Sequence, residues 1–230
     1  NGVNIGFGGS NTVGGAQPGE GNLISGNSSI NVLLSGSMGT GTSDNTISGN
    51  IIGPDLTGSG ASMSNGTGVR IIAASTGNTV GPGNVISDNG AGVSIGGSGT
   101  QGNVVKGNLI GTNLSGTAGV PNSLHGVLVA SSAKFNAIGG AAAGDGNVIA
   151  FNGQDGVRID GTPDPGDTPA VGNSIRGNSI HDNTGLEIDN IVGGNLELAP
   201  PTLASSDGFS VSGAACCVRV VRCWAPQPVG

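Results

Sequence analysis

Asn78-Thr-Val-Gly-Pro-Gly-Asn84-Val-Ile-Ser-Asp-Asn89-Gly-Ala-Gly-Val93-Ser-Ile95 packs three short apolar segments into 18 residues, separated by Gly and Asn. The same order recurs along the chain. Asn-x-Ile/Val stands at Asn11, Asn45, Asn78, Asn103, Asn136 and Asn173, at spacings of 34, 33, 25, 33 and 37 residues. Each is followed by an apolar pair opened by a second asparagine, at Asn22, Asn50, Asn84, Asn108, Asn147 and, with one apolar member missing, Asn178. A third segment of the form Gly-Val-x-Ile closes each cycle: Val3/Ile5, Val32/Leu34, Val69/Ile71, Val93/Ile95, Val127/Val129, Val157/Ile159 and Leu186/Ile188. Three strands per cycle of about 30 residues make one turn of a solenoid.

No strand of three to five residues is stable alone. Stacked in parallel at about 4.8 Å per turn, such strands pair along the axis and their inward Val and Ile form continuous apolar columns. Asn at the bends tolerates left-handed backbone and can bond the turns above and below as a ladder, while neighbouring Gly supplies positive φ. Helices are excluded, because no window between the glycines keeps an i, i+3, i+4, i+7 pattern. The fold class read from the chain is all-β, a three-strand parallel β-helix of about six to seven turns over residues 1–195.

A two-turn period is superimposed on this cycle. Gly53-Pro-Asp-Leu-Thr-Gly, running to Asn65, and Gly111-Thr-Asn-Leu-Ser-Gly, running to Asn122, are matching long loops. Loops at corresponding positions should stack on one side of the solenoid and form a groove or contact surface there. A third insertion is the acidic Gly161-Thr-Pro-Asp-Pro-Gly-Asp167.

These blocks, Asn-Thr-Val-Gly-Gly with Gly-Asn-Leu-Ile-Ser-Gly-Asn and Gly-Asn-Leu-Ile-Gly-Thr-Asn-Leu-Ser-Gly-Thr, resemble the right-handed parallel β-helix repeats of large bacterial secreted and cell-surface proteins in the pectin-lyase-like superfamily. The resemblance implies the fold and an extracellular or cell-surface setting. It implies no single activity, because that scaffold carries lyases, hydrolases, esterases, epimerases, tailspikes and adhesins. The polygalacturonase-like set of Asn-Thr-Asp, paired Asp, Gly-His-Gly and Arg-Ile-Lys is missing, as is a pectate-lyase-like grouping of calcium carboxylates with a basic Arg.

Composition narrows the partners. The chain has 230 residues, 48 glycines, 24 asparagines, no tyrosine and 2% aromatic residues, so slim aliphatic side chains must fill its interior and few rings remain to stack on sugars. A net charge of −7 argues against nucleic acid, whose phosphates draw on clustered Lys and Arg. No apolar run approaches the roughly 18 residues of a membrane helix. An extracellular polysaccharide or surface glycan remains as a partner class.

Ten of the 21 charged residues lie between Asp145 and Asp189. If the chain is catalytic, Asp155, Arg158, Asp160, His181, Asp182 and Glu187 are the residues that could converge for acid/base work. Arg158 and Glu187 fall in one outward column, Asn4, Leu33, Arg70, Ser94, Leu128, Arg158, Glu187, and are expected to pair across successive turns. The plainer reading is a solvated, salt-bridged end of the solenoid that discourages strand addition. Gly92-Val-Ser94-Ile-Gly96 fits the G-x-S-x-G pattern of a nucleophilic serine, yet here it is the repeat's own strand and not a strand-to-helix elbow. Ser131-Ser-Ala-Lys134 fits S-x-x-K but falls in a corner. No organic cofactor is indicated. Asp164 and Asp167 are the one candidate for a bound Ca²⁺, and two distant histidines make no zinc set. An outward threonine array of the ice-binding kind is interrupted: Thr12, Thr46 and Thr79 give way to Val104, Ala137 and Ser174.

Cys216, Cys217 and Cys223, together with the single tryptophan, Trp224, crowd the last 15 residues, an odd count that is no disulfide framework. Residues 196–213 are expected to form an exit linker or the first strand of a following domain, and residues 214–230 an atypical tail. With no signal peptide and with Asn1 inside a repeat, the chain reads as part of something longer. The leading expectation is a structural or adhesin-like β-helical segment, against a hydrolase or lyase acting on polysaccharide or carboxylic esters.

Overall fold

A computed structural model describes residues 1–36, 40–58, 65–161, 168–191 and 194–196. Asp164 and Asp167, the tail at 214–230 and all of the 196–213 segment except Leu196 lie outside the described residues.

The chain winds into a three-sided parallel β-helix. The first sheet has seven strands, Val3–Gly6, Ile30–Ser35, Thr67–Ile72, Ala91–Gly96, Val127–Ala130, Val157–Ile159 and Ile188–Asn190. The second has six, Thr12–Gly14, Thr46–Ser48, Thr79–Val80, Val104–Val105, Ala137–Gly139 and Ser174–Arg176. The third also has six, Leu23–Ser25, Ile51–Gly53, Val85–Ile86, Leu109–Ile110, Val148–Ala150 and Ser179–His181. Successive strands along the chain visit the three sheets in rotation, which gives six turns and a seventh first-sheet strand. Period-two alternation sends Val32, Leu34, Val69, Ile71, Val93 and Ile95 inward from the first sheet, all fully buried. Ile47, Val80, Val105 and Ile138 from the second and Ile52, Ile86, Ile110 and Ile149 from the third complete the core. Burial of each such side chain favours folding by about 1.5–3 kcal/mol.

Two asparagine ladders run along the corners as the repeat predicts. Asn11, Asn45, Asn78, Asn103, Asn136 and Asn173 bond one to the next, Nδ2–H to Oδ1, at 2.8 to 3.0 Å. Asn22, Asn50, Asn84, Asn108, Asn147 and Asn178 bond in the same way on the next corner, at 2.8 to 3.1 Å. A third ladder, not singled out by the repeat, links Asn31, Asn89, Asn122, Asn152 and Asn183 at 2.8 to 3.0 Å. Asn65, arriving at the end of a long loop, joins it through the Asn31 amide at 3.3 Å. Most ladder members are buried, and their bonds satisfy amides that would otherwise cost free energy in the interior.

One expectation needs correction. From Asn11 to Asn173 the first-ladder asparagines do not themselves take the left-handed conformation; the residue before each of them does. In the first ladder these are Ser10, Asp44, Gly77, Gly102, Phe135 and Gly172, with φ between 55° and 69°. Turning the preceding residue aims the following side chain along the axis, which is what the ladder requires, and it accounts for the recurrent Gly-Asn dipeptide. Phe135, 64% exposed, holds this conformation without glycine's freedom, so its backbone is strained.

The described parts of the two long loops lie on one side. Asp55 Oδ1 caps the first by accepting the Thr57 N–H at 3.0 Å, and Asn113 Oδ1 caps the second by accepting the Thr117 N–H at 3.0 Å. Leu114 rests on Gly58, where a Cβ would clash with its side chain, so one loop bridges to the other across the intervening turn.

Candidate functional site

The corner that leads into the first sheet carries the charged residues of the last turns. Gly92 N–H donates to His125 O, Gly126 N–H to Asp155 O and Gly156 N–H to Leu186 O, so Ala91, His125, Asp155 and Leu186 occupy one column in successive turns. His125 and Asp155 are 7% and 8% exposed. Three residues past Asp155, Arg158 stands outward on its strand, in register with Leu128 on one side and Asp189 on the other.

Arg158 therefore faces Asp189, not Glu187. The equal spacing from the third ladder explains the two-residue correction: Arg158 follows Asn152 by six residues, and Asp189 follows Asn183 by six. Ile188, not Leu186, consequently registers with Val157. Glu187 lies exposed, and its main-chain oxygen accepts the Val157 N–H at 2.9 Å.

Three carboxylates converge on the one guanidinium. Arg158 Nη1 is 3.9 Å from Asp155 Oδ2 and 3.9 Å from Asp189 Oδ2, while Nη2 is 3.7 Å from Asp160 Oδ2. These are long, non-bidentate ion pairs of modest strength. Asp155 is held more firmly, since its Oδ1 accepts the Leu186 N–H at 2.9 Å.

His125 Nδ1 lies 3.1 Å from Asp155 Oδ2 and also accepts the Asp155 N–H at 3.3 Å. It cannot accept that N–H and donate to the carboxylate in the same protonation state. Burial keeps the ring neutral: desolvation pushes the imidazole below its ordinary value of 6.5, the Asp155 carboxylate works against this, and Arg158 adds to the depression. The neutral ring carries a single proton, which on Nδ1 serves the carboxylate and on Nε2 leaves Nδ1 to the backbone N–H, and neutrality alone does not select between these tautomers.

His181 and Asp182 belong to a different side of the solenoid. His181 ends a third-sheet strand, bonds Asp182 Oδ2 through Nδ1 at 2.8 Å, and meets the Phe151 ring edge-on at 6.0 Å between centroids. Their side chains are 44% and 64% exposed. The structure thus gathers Asp155, Arg158 and Asp160, adds His125 and Asp189, and leaves His181, Asp182 and Glu187 out of that cluster.

Ser94 is outward on the first sheet between Arg70 and Leu128. It lies three residues, about 10 Å along the strand, beyond Ala91, the neighbour of His125 in the corner column. His125 is turned to Asp155, so no Ser-His pair forms. Ser131 falls in a turn and Lys134 in an isolated bridge to Gln101, both in the corner between a first-sheet and a second-sheet strand. Among the described residues, no group of three or more His, Cys, Asp or Glu side chains is placed to hold a metal ion. Among them also, no helix is long and apolar enough to cross a membrane.

No protein-family model matches the chain, and neither does any curated protein or solved structure.

Proposed function

We propose that this chain is a structural, adhesin-like segment of a secreted or cell-surface protein, a solenoid rod of the pectin-lyase-like bacterial type whose task is to span distance and present its faces to extracellular glycan or another surface. The observation that supports this reading most is how the polar side chains are used. Three ladders take up most of the asparagines, and the cluster with most chemical promise spends its groups on the scaffold: Asp155 holds Leu186, His125 is buried against Asp155, and Arg158 bridges two turns. A catalytic constellation would instead keep a base and an acid free to meet substrate.

The second reading, a hydrolase or lyase on polysaccharide or carboxylic esters, is favoured by one observation, the meeting of His125, Asp155, Arg158, Asp160 and Asp189 at a single corner. A broad glycan and ester activity screen separates the two. The rod reading expects no turnover by the wild-type chain. Turnover that disappears in both Asp155→Asn and His125→Asn, with the fold retained by circular dichroism, would establish the enzyme reading instead.

A further inference from the structure

The third sheet is apolar on both faces. Inward lie Ile24, Ile52, Ile86, Ile110 and Ile149; outward, in strict register, lie Leu23, Ile51, Val85, Leu109 and Val148, before the column ends at Ser179. A sheet with one face to water normally alternates apolar with polar residues. Here the second long loop folds back over the outer face, with Gly116 against the Leu109 side chain, and part of the face stays exposed. Leu23 is 47% exposed, and the loops add two more apolar tips, Leu56 at 70% and Leu114 at 43%. Beside Leu56, a groove of about 490 Å³ is lined by Pro18, Leu23, Ile51, Leu56 and Pro82 among glycines, and no charged side chain lines it.

We infer that this outer face of the third sheet is a self-association surface, and that its occupant is a second copy of the chain. Three features select that occupant. First, charge: the chain carries −7, and two copies can approach only where neither brings carboxylates. Second, shape: a projecting leucine and an apolar groove lie side by side on one surface, so a two-fold axis seats Leu56 of each copy in the groove of the other. Third, extent: Leu23 to Val148 spans four inter-turn steps, about 19 Å at about 4.8 Å each, and strand plus flanking loop is about 20 Å wide. Such a face offers about 400 Å² per copy, against about 800 Å² in a standard stable interface. The dimer is therefore weak and reversible, forming at high local concentration, as between chains displayed side by side. This inference rests on the outer face alone and holds under either reading of the function.

Sedimentation velocity of the whole chain from about 5 µM to about 1 mM tests it. The expected result is a concentration-dependent monomer–dimer equilibrium, with the dissociation constant raised at least tenfold in Leu56→Asp and in Leu114→Asp. Both residues are loop tips whose replacement leaves the core untouched, and Phe7→Asp, at a residue 66% exposed on the corner that follows the first sheet, should associate like wild type. A chain that stays monomeric at about 1 mM, or a dimer indifferent to Leu56→Asp, overturns the inference. So does a monomer that binds neutral phosphatidylcholine vesicles in a Leu56-dependent way, which would make lipid the occupant.

Discussion

His125 Nδ1 and Asp155 Oδ2 meet at 3.1 Å in a corner where both residues are more than nine-tenths buried, and the backbone N–H of Asp155 points at the same nitrogen. The pair joins two successive turns of the solenoid. Its protonation is set by desolvation, with consequences for stability.

The first concerns pH. Burial holds the folded-state pKa of His125 below 6.5, so below that pH the unfolded chain binds a proton that the folded chain resists. Stability from this residue is fully present above pH 6.5 and is lost as pH falls through the folded value. Urea denaturation at steps from pH 7.5 to 5.0 should show a falling midpoint, and His125→Asn should flatten that slope. An unchanged slope in the variant would show that the imidazole is not its source.

Asp155 should be graded by what replaces it. Asp155→Ala removes the acceptor of the Leu186 N–H and one counter-charge of Arg158, and should cost about 1–3 kcal/mol of unfolding free energy. Asp155→Asn keeps an acceptor and should cost less than the alanine variant. Equal losses in denaturant melts would indicate that the hydrogen bond contributes nothing.

The ladder should be more sensitive in its middle than at its start. Asn103 Oδ1 accepts from both the N–H and the Nδ2–H of Asn78, and its own amide donates to Asn136 Oδ1 and Ser75 O. Asn103→Ala strands buried groups on both sides and should cost about 3 kcal/mol or more, whereas Asn11→Ala, at the exposed first position, should cost about 1 kcal/mol. Chemical denaturation of the two variants measures the difference.

At the other end, Asn195 accepts the Asn173 N–H at 2.9 Å and donates to the Asn173 carbonyl at 2.8 Å, closing the first ladder. Asn195→Ala should leave global unfolding nearly unchanged while the Asn173 amide, read by hydrogen exchange, loses protection by about tenfold.

Gly172 lies beneath the Phe135 ring, with φ of 69° and no room for a Cβ, which would sit 2.6 Å from Phe135 Cδ1. Gly172→Ala should destabilise by about 1–3 kcal/mol, and Phe135→Gly, which relieves a strained backbone, should cost less than the usual loss of a phenylalanine. Thermal melts of both variants provide the check.

Much of the fold could be read from the chain itself. The spacing of Asn11, Asn45, Asn78, Asn103, Asn136 and Asn173, with apolar pairs between, specifies strand, corner and turn, because period-two burial and hydrogen-bond satisfaction at a bend are local demands that leave their mark on every repeat. Residues 23–24, 51–52 and 109–110 show the limit of such reading. An apolar pair states that a strand is there, but not that its outward member is half covered by a loop that bridges to another loop two turns away.

The candidate site was less legible for the same reason. Asp155, Arg158 and Asp160 are neighbours in the chain, and their grouping follows from one strand. His125 and Asp189 join them only through stacking, 30 and 34 residues from Asp155, and the partner of Arg158 depends on a register that the third ladder sets. Glu187 and Asp189 differ by two residues and so face the same side of a strand, which is why alternation alone cannot choose between them. The amino-acid sequence determined the solenoid, since its rules repeat locally at every turn. Only the tertiary structure decided which charges meet and which leucines remain uncovered, because both depend on how one turn is seated on the next.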